Sequence, residues 1–307
     1  MKKILSIGVS LACLYIAFQQ VDLQKIFDAF SATNIWYVII AFIITAITFI
    51  LRSLRWKTLL NAPRSLNLHH YSSATHIGYF FNNILPFRAG DVFRAQLLSK
   101  HDKNIKLTYL LGSLVGEKII DIWVIGLFTI ILILMGYNTN LLDVEFIIII
   151  IGISFVSSLI IFGRHTLSNK LLLKFPSLKN FVEGYKLVSD NKLSIAGWSM
   201  LLWVSFVGYV IVALQAIGIS LTMEQALGLT IISSLVTSLP IAPAAIGTYH
   251  LAVIYCLDNL YGFSPDKAQA GAIIMHSIFL LYSIAIGYLY LVSENMNIGS
   301  IRHDNKN

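Results

Sequence analysis

Charge is what this chain has least of. Only 12% of its 307 residues are Asp, Glu, Lys or Arg, against roughly 25% in soluble domains, so a water-soluble fold is excluded at the outset. Cysteine is nearly missing too. Cys13 and Cys256 both lie inside apolar runs, which leaves no disulfide framework and no thiolate metal site. The sequence also lacks a glycine-rich phosphate loop, a Ser-His-Asp order and zinc-finger spacing. Its net charge of +7 is not gathered into a basic arm that would suit nucleic acid. No cofactor, no metal and no nucleic-acid partner is therefore expected.

Apolar residues make up 57% of the chain, with a mean hydropathy of +0.76. A helix needs about 20 apolar residues to cross a bilayer. Runs near that length occur at 4–21, 35–51, 122–142, 146–163, 193–223 and 268–293. The first follows a basic start, but no small-x-small cleavage site precedes Asp22, and too little hydrophobic sequence precedes Cys13 for a lipoprotein signal. A retained span is expected there. The expected fold is an all-α polytopic membrane protein of about six spans, forming a single membrane domain over 1–307.

Two stretches break this pattern. The polar-flecked run YSSATHIGYFFNNILPF stops at Pro86 and restarts as RAGDVFRAQLLSK, and the run 225–257 is cut by LPIAPAAIG. Proline stops a helix, and irregular backbone at membrane depth survives only where it is buried or lines a wet cavity. Pro86, Gly90, Pro240, Pro243 and Gly247 thus mark two hairpins that are broken or re-entrant rather than full spans. Pro86 and Gly90 lie 157 residues before Pro243 and Gly247. The same offset carries the run 35–51 into 193–223, and 107–136 onto the last span. Two repeat halves are expected, 34–136 and 191–293.

The basic residues support an orientation. They gather between Arg52 and Lys106, between Arg164 and Lys192, and at the termini, whereas the opposite loops keep Lys25 and Lys267. With six spans, one side collects the cations, so both termini and the connector 163–193 are expected to be cytoplasmic. The two halves would then enter the membrane from opposite sides, as in inverted-repeat transporters whose substrates bind between discontinuous helices.

The candidate site gathers at the first break. Arg52 and Arg55 share a helical face, and Arg88, Asp91 and Arg94 repeat that spacing beyond Pro86. Arginine reads phosphate through its planar fork. The helix start near Gly90 adds backbone donors, and Asn82 and Asn83 add neutral ones. Glu117 and Asp121 share another face ahead of a long apolar run, where ionisable groups are expensive enough to count as functional candidates. The bland alternative puts them at a wet helix end, neutralising neighbours. Tyr249 and His250 follow the second break and could face the same cavity. His69, His70 and His76 read as interfacial polar residues.

The motifs LRSLRWKTLL, NNILPFRAGDVFRAQLL, GSLVGEKIIDI and SLPIAPAAIGTYHLA together resemble the transmembrane region of lysylphosphatidylglycerol synthetases, a flippase-like integral membrane family. The resemblance covers roughly residues 5–293. It implies a bacterial or archaeal plasma-membrane protein that moves a lipid between leaflets. In two-part synthetases a soluble domain makes the lipid; none is expected within these residues, so enzymatic activity is not carried over. The family pattern usually has a glycine pair before Gly247 and an acid soon after it, where this chain has Ala244-Ala245 and Tyr249-His250. The expected partner is an anionic phospholipid or polyprenyl-phosphate lipid. The alternative is a non-transporting scaffold or regulator of a cell-envelope lipid or glycolipid synthase, docking through 163–193.

Overall fold

The computed structural model describes residues 31–60, 66–135, 150–156, 192–239 and 242–295, with shorter pieces at 8, 11–17, 24, 28 and 183. Its architecture is all-α, that of a membrane protein. Helices α1 (Ile35–Leu60), α2 (Leu68–Ile84), α3 (Gly90–His101) and α4 (Leu107–Leu134) are followed by α5 (Lys192–Gln215), α6 (Met223–Ser238), α7 (Thr248–Tyr255) and α8 (Pro265–Ser293). Among the described residues α1, α5 and α8 are long and apolar enough to cross a membrane. The runs 4–21 and 146–163 are described only in part, and are helical there; Pro240 and nearly all of 163–193 lie outside the described residues.

A short 3₁₀ turn interrupts each hairpin, at Pro86–Arg88 between α2 and α3 and at Pro243–Ala245 between α6 and α7. The first helix of each hairpin opens on a capping box, Asn67 with His70 and Thr222 with Gln225, which fixes where it starts. Each hairpin then turns through two non-glycine residues in the left-handed region. Phe87 and Arg88 have φ of 61° and 53°, Ala244 and Ala245 have 50° and 55°. Such a conformation costs about 1–2 kcal/mol per residue, and only surrounding packing can hold it.

The two hairpins lie 157 residues apart, and so do Thr48 and Ser205, whose hydroxyls meet at 2.9 Å. Asn34 N–H donates to the Ala216 carbonyl at 2.8 Å, so α1 and α5 run antiparallel. The contact thus joins two positions separated by the same offset as the two breaks, on antiparallel helices. Cysteines at Thr48 and Ser205, in a chain with Cys13 and Cys256 replaced by alanine, are therefore expected to form an intramolecular disulfide on mild oxidation. The check is a reductant-reversible shift on a denaturing gel.

The halves interleave: α8 packs along α2, and α4 against α6. His76 Nε2 meets Tyr282 Oη at 3.3 Å, Asn83 donates to Ser283 Oγ at 2.7 Å, and Tyr290 donates to Ser72 Oγ at 3.3 Å. His76 is thus not the interfacial residue expected from sequence. It is buried, stacked on Phe49 with ring centroids 4.6 Å apart, its Nδ1 2.7 Å from the Ser72 carbonyl.

One other expectation changes, and one alternative to the site reading is not what the helix shows. The apolar run 193–223 is not one span: α5 ends at Gln215, where Gly218 at φ 73° closes the helix by adopting the left-handed cap glycine favours. Nor do Glu117 and Asp121 sit at a wet helix end. Both lie inside α4, a continuous helix that begins at Leu107.

Candidate functional site

The first half builds its site from matching spacings. Arg55 projects from α1, Arg94 from α3, and Glu117 and Asp121 from one face of α4. Arg94 donates twice to Glu117, at 2.8 and 3.4 Å. Arg55 donates to Asp121 at 2.6 and 3.4 Å, and its Nε lies 3.8 Å from Glu117 Oε1. The groups form one alternating chain, Arg94–Glu117–Arg55–Asp121. Arg55 is 0% exposed, Glu117 1% and Arg94 3%. Trp56 supports the chain by presenting its ring 3.8 Å from the Arg94 guanidinium carbon and donating to Ser113 at 3.0 Å. Trp203 of the second half donates to Asp121 at 3.3 Å.

Arg55 and Arg94 are therefore committed to carboxylates, and neither lines the cavity beside them. That cavity, of about 410 Å³, lies between the halves and is lined by Arg52, Arg88, Lys118 and Asp121, and by Asn82 and Asn83. Arg52 is only 7% exposed, yet it makes no hydrogen bond or ion pair with a described residue. Its guanidinium lies over the rings of Tyr79 and Phe206, at 4.9 and 5.5 Å. Lys118 follows Glu117 in sequence, so it points about 100° away from the ion-pair face and into the cavity. It too has no ion-pair partner among the described residues.

Arg88 has partners at the break. Its Nε is 3.5 Å from Asp91 Oδ2, and its Nη1 donates to the Thr237 carbonyl at 3.2 Å, joining the first break to the end of α6. Asp91 also accepts from Asn82 at 3.2 Å. Across the whole site Arg52, Arg55, Arg88, Arg94 and Lys118 face Asp91, Glu117 and Asp121. Five cations and three anions leave a formal excess of two positive charges, carried at the cavity wall by Arg52 and Lys118.

The second half has no counterpart to this network. Counted 157 residues on, Tyr209 stands for Arg52, Val212 for Arg55, Leu251 for Arg94, Ile274 for Glu117 and Ile278 for Asp121. Tyr249 lines the cavity, but His250 is not part of its wall. The His250 ring accepts the Gly247 N–H at 3.4 Å and meets the His276 ring edge-on at 4.8 Å. His276 donates to the Ala244 carbonyl at 2.9 Å, bracing the left-handed turn. Two contributors were missed in the sequence reading, Lys118 and a row of hydroxyls on α6. The first was signalled only by its phase on α4, the second by Ser and Thr recurring at helical spacing.

A chain with two helix breaks at a fixed offset, an arginine–carboxylate chain inside the bundle and a basic cavity between its halves can be set beside known proteins. The family described as the lysylphosphatidylglycerol synthase TM region matches residues 3–287. The chain belongs to this family. Its similar relatives include the UPF0104 membrane protein MJ1078 of Methanocaldococcus jannaschii, 27% identical over 231 residues that cover 71% of this chain and 96% of the relative. MJ1595 of the same organism is 24% identical, covering 89% of each chain. The glycosyltransferase AglD of Haloferax volcanii is 21% identical over 95% of this chain, but over only 53% of its own length. No solved structure matches. Family membership agrees with the resemblance carried by the motifs around Arg52, Pro86, Glu117 and Pro243.

Proposed function

We propose that the protein binds the anionic headgroup of a membrane lipid in the cavity between its halves and passes it across the bilayer. The observation that carries this reading is Arg52. Arg52 is a largely buried residue whose guanidinium has no hydrogen bond or ion pair with a described residue; a buried charge without such a partner is costly, and a phosphate entering the cavity would complete it with Lys118 beside it. The guanidinium fork suits phosphate oxygens. The lipid tails stay in the bilayer, so only the headgroup has to be shielded as it crosses.

The repeated element order and the antiparallel α1 and α5 support an inverted repeat in which the two breaks gate the cavity from opposite sides. The distribution of lysine and arginine supports cytoplasmic termini, and the archaeal relatives support a plasma-membrane protein of a bacterium or archaeon. A second reading, a membrane scaffold or regulator for a lipid or glycolipid synthase, draws on AglD, where a similar region belongs to a longer protein named a glycosyltransferase.

The test is native mass spectrometry of gently solubilised protein, wild type beside Arg52→Gln/Lys118→Gln. Neither side chain makes an ion pair, so the variant is expected to keep its melting temperature. It is expected to lose a co-purifying anionic lipid by roughly 10- to 100-fold, the effect of a charge-assisted contact of about 1.5–3 kcal/mol. Equal lipid retention by both proteins would remove the transport reading and leave the scaffold.

A further inference from the structure

We propose that the lipid headgroup is the phosphate ester of a neutral polyol, a hexose or glycerol, whose hydroxyls are read by α6. This rests on the reading that phosphate meets Arg52. The wall facing the cations is not apolar. Helix α6 turns Thr230, Ser233, Ser234, Thr237 and Ser238 toward the cavity, the i, i+3, i+4, i+7 and i+8 positions of one face.

The direction of their hydrogen bonds decides what this wall can bind. Thr230 donates to the Ala226 carbonyl at 2.7 Å, Ser233 to Thr230 at 3.2 Å, Thr237 to Ser233 at 2.9 Å and Ser238 to Leu235 at 2.6 Å. A hydroxyl has one proton and two lone pairs. With the proton turned back on the helix, lone pairs are what remain for the cavity. Apart from Ser234, the α6 hydroxyls therefore offer acceptors to the same cavity that Arg52 lines as a donor without a hydrogen-bond partner among the described residues. A ligand spanning both carries an anion at one end and hydrogen-bond donors at the other.

Donors come as ammonium groups or as hydroxyls, and charge separates the two. The site already holds two uncompensated positive charges. Asp121 is the one acid lining the cavity, and it is engaged by Arg55 and Trp203. An ammonium would add a third positive charge to a poorly screened space with no free carboxylate to receive it. A sugar or glycerol brings the donors without the charge. Phe206, Tyr249 and Phe279 line the same space and supply apolar contact area for the C–H face of a polyol. A volume of about 410 Å³ also holds roughly a dozen waters, more than a bare phosphate occupies.

The experiment measures retention of defined lipids added to the delipidated protein, read by native mass spectrometry. The probes are phosphatidic acid, phosphatidylglycerol, a hexosyl-phosphate polyprenol and lysylphosphatidylglycerol. They are compared on wild type and on Thr230→Val/Ser233→Ala/Thr237→Val. Wild type is expected to retain one of the two polyol phosphates about tenfold better than phosphatidic acid, as one or two added hydrogen bonds allow, and to retain the lysyl lipid least. Which polyol phosphate is preferred names the source. The variant is expected to fall to the phosphatidic acid level, since loss of back-bonding hydroxyls does not weaken a helix. Equal retention of phosphatidic acid and the polyol phosphates by wild type overturns this inference and leaves the phosphate reading standing. Preference for the lysyl lipid overturns it as well. Retention of no phosphate lipid removes both.

Discussion

Glu117→Ala is expected to produce the largest loss of stability of any single side-chain removal in the site. Glu117 is the link through which Arg94 is neutralised, and it is also the second anion beside Arg55. Without it Arg94 keeps no hydrogen-bonded carboxylate, only the Trp56 ring, worth about 2 kcal/mol when desolvated, and the more distant charge of Asp91. Stranding one member of a buried ion pair costs about 3–5 kcal/mol, whereas replacing both members by apolar groups of similar volume is often neutral. Arg94→Met/Glu117→Met is thus expected to recover most of the loss, because Arg55 retains Asp121. Thermal unfolding of the detergent-solubilised wild type, single and double variants checks this. A single variant that melts like wild type would mean that Arg94 reaches water when Glu117 is gone, and would sink the account of a closed ion-pair chain.

The second large effect is expected at Gly90, for steric reasons. A β-carbon there would clash with the Gly78 carbonyl and lie 2.7 Å from the Asn82 backbone nitrogen. Across the same contact, a β-carbon on Gly78 would lie 2.9 Å from that of Arg94. The two glycines let α2 and α3 touch backbone to backbone, as small residues do where helices pack in membranes. Gly90→Val would force the hairpin apart and draw Arg94 off Glu117, adding a stranded charge to an overpacking penalty of about 1–3 kcal/mol. Loss of monodisperse protein on size exclusion is the expected result. Gly208→Ala is the control. A β-carbon at Gly208 meets nothing within 4 Å, so that variant should fold normally and gain up to about 1 kcal/mol from helix propensity.

Much of this arrangement could be read from spacing. Proline followed four residues later by glycine placed both breaks, and the 157-residue offset was visible before any coordinates. Arg52 and Arg88 were picked out by residue type and do line the cavity. What spacing could not supply was which partner each helix face meets. Arg52 and Arg55 differ by about 60° in phase; that difference sends one to the cavity and the other to Asp121. Lys118 shows the same limit, one residue from Glu117 and facing elsewhere. The hydroxyl face of α6 was hidden because serine and threonine that bond back to their own helix barely disturb an apolar profile. The end of α5 at Gln215 was missed because a single glycine turn does not interrupt hydropathy.

The meeting of Thr48 with Ser205 bears on how such a molecule could work. A point on a two-fold axis maps onto itself. If the halves exchange shapes to open first one side and then the other, that point is the fulcrum, and displacement grows with distance from it. On that condition, a bond fixed between Thr48 and Ser205 would leave the rocking free, while one fixed between the two breaks would jam it.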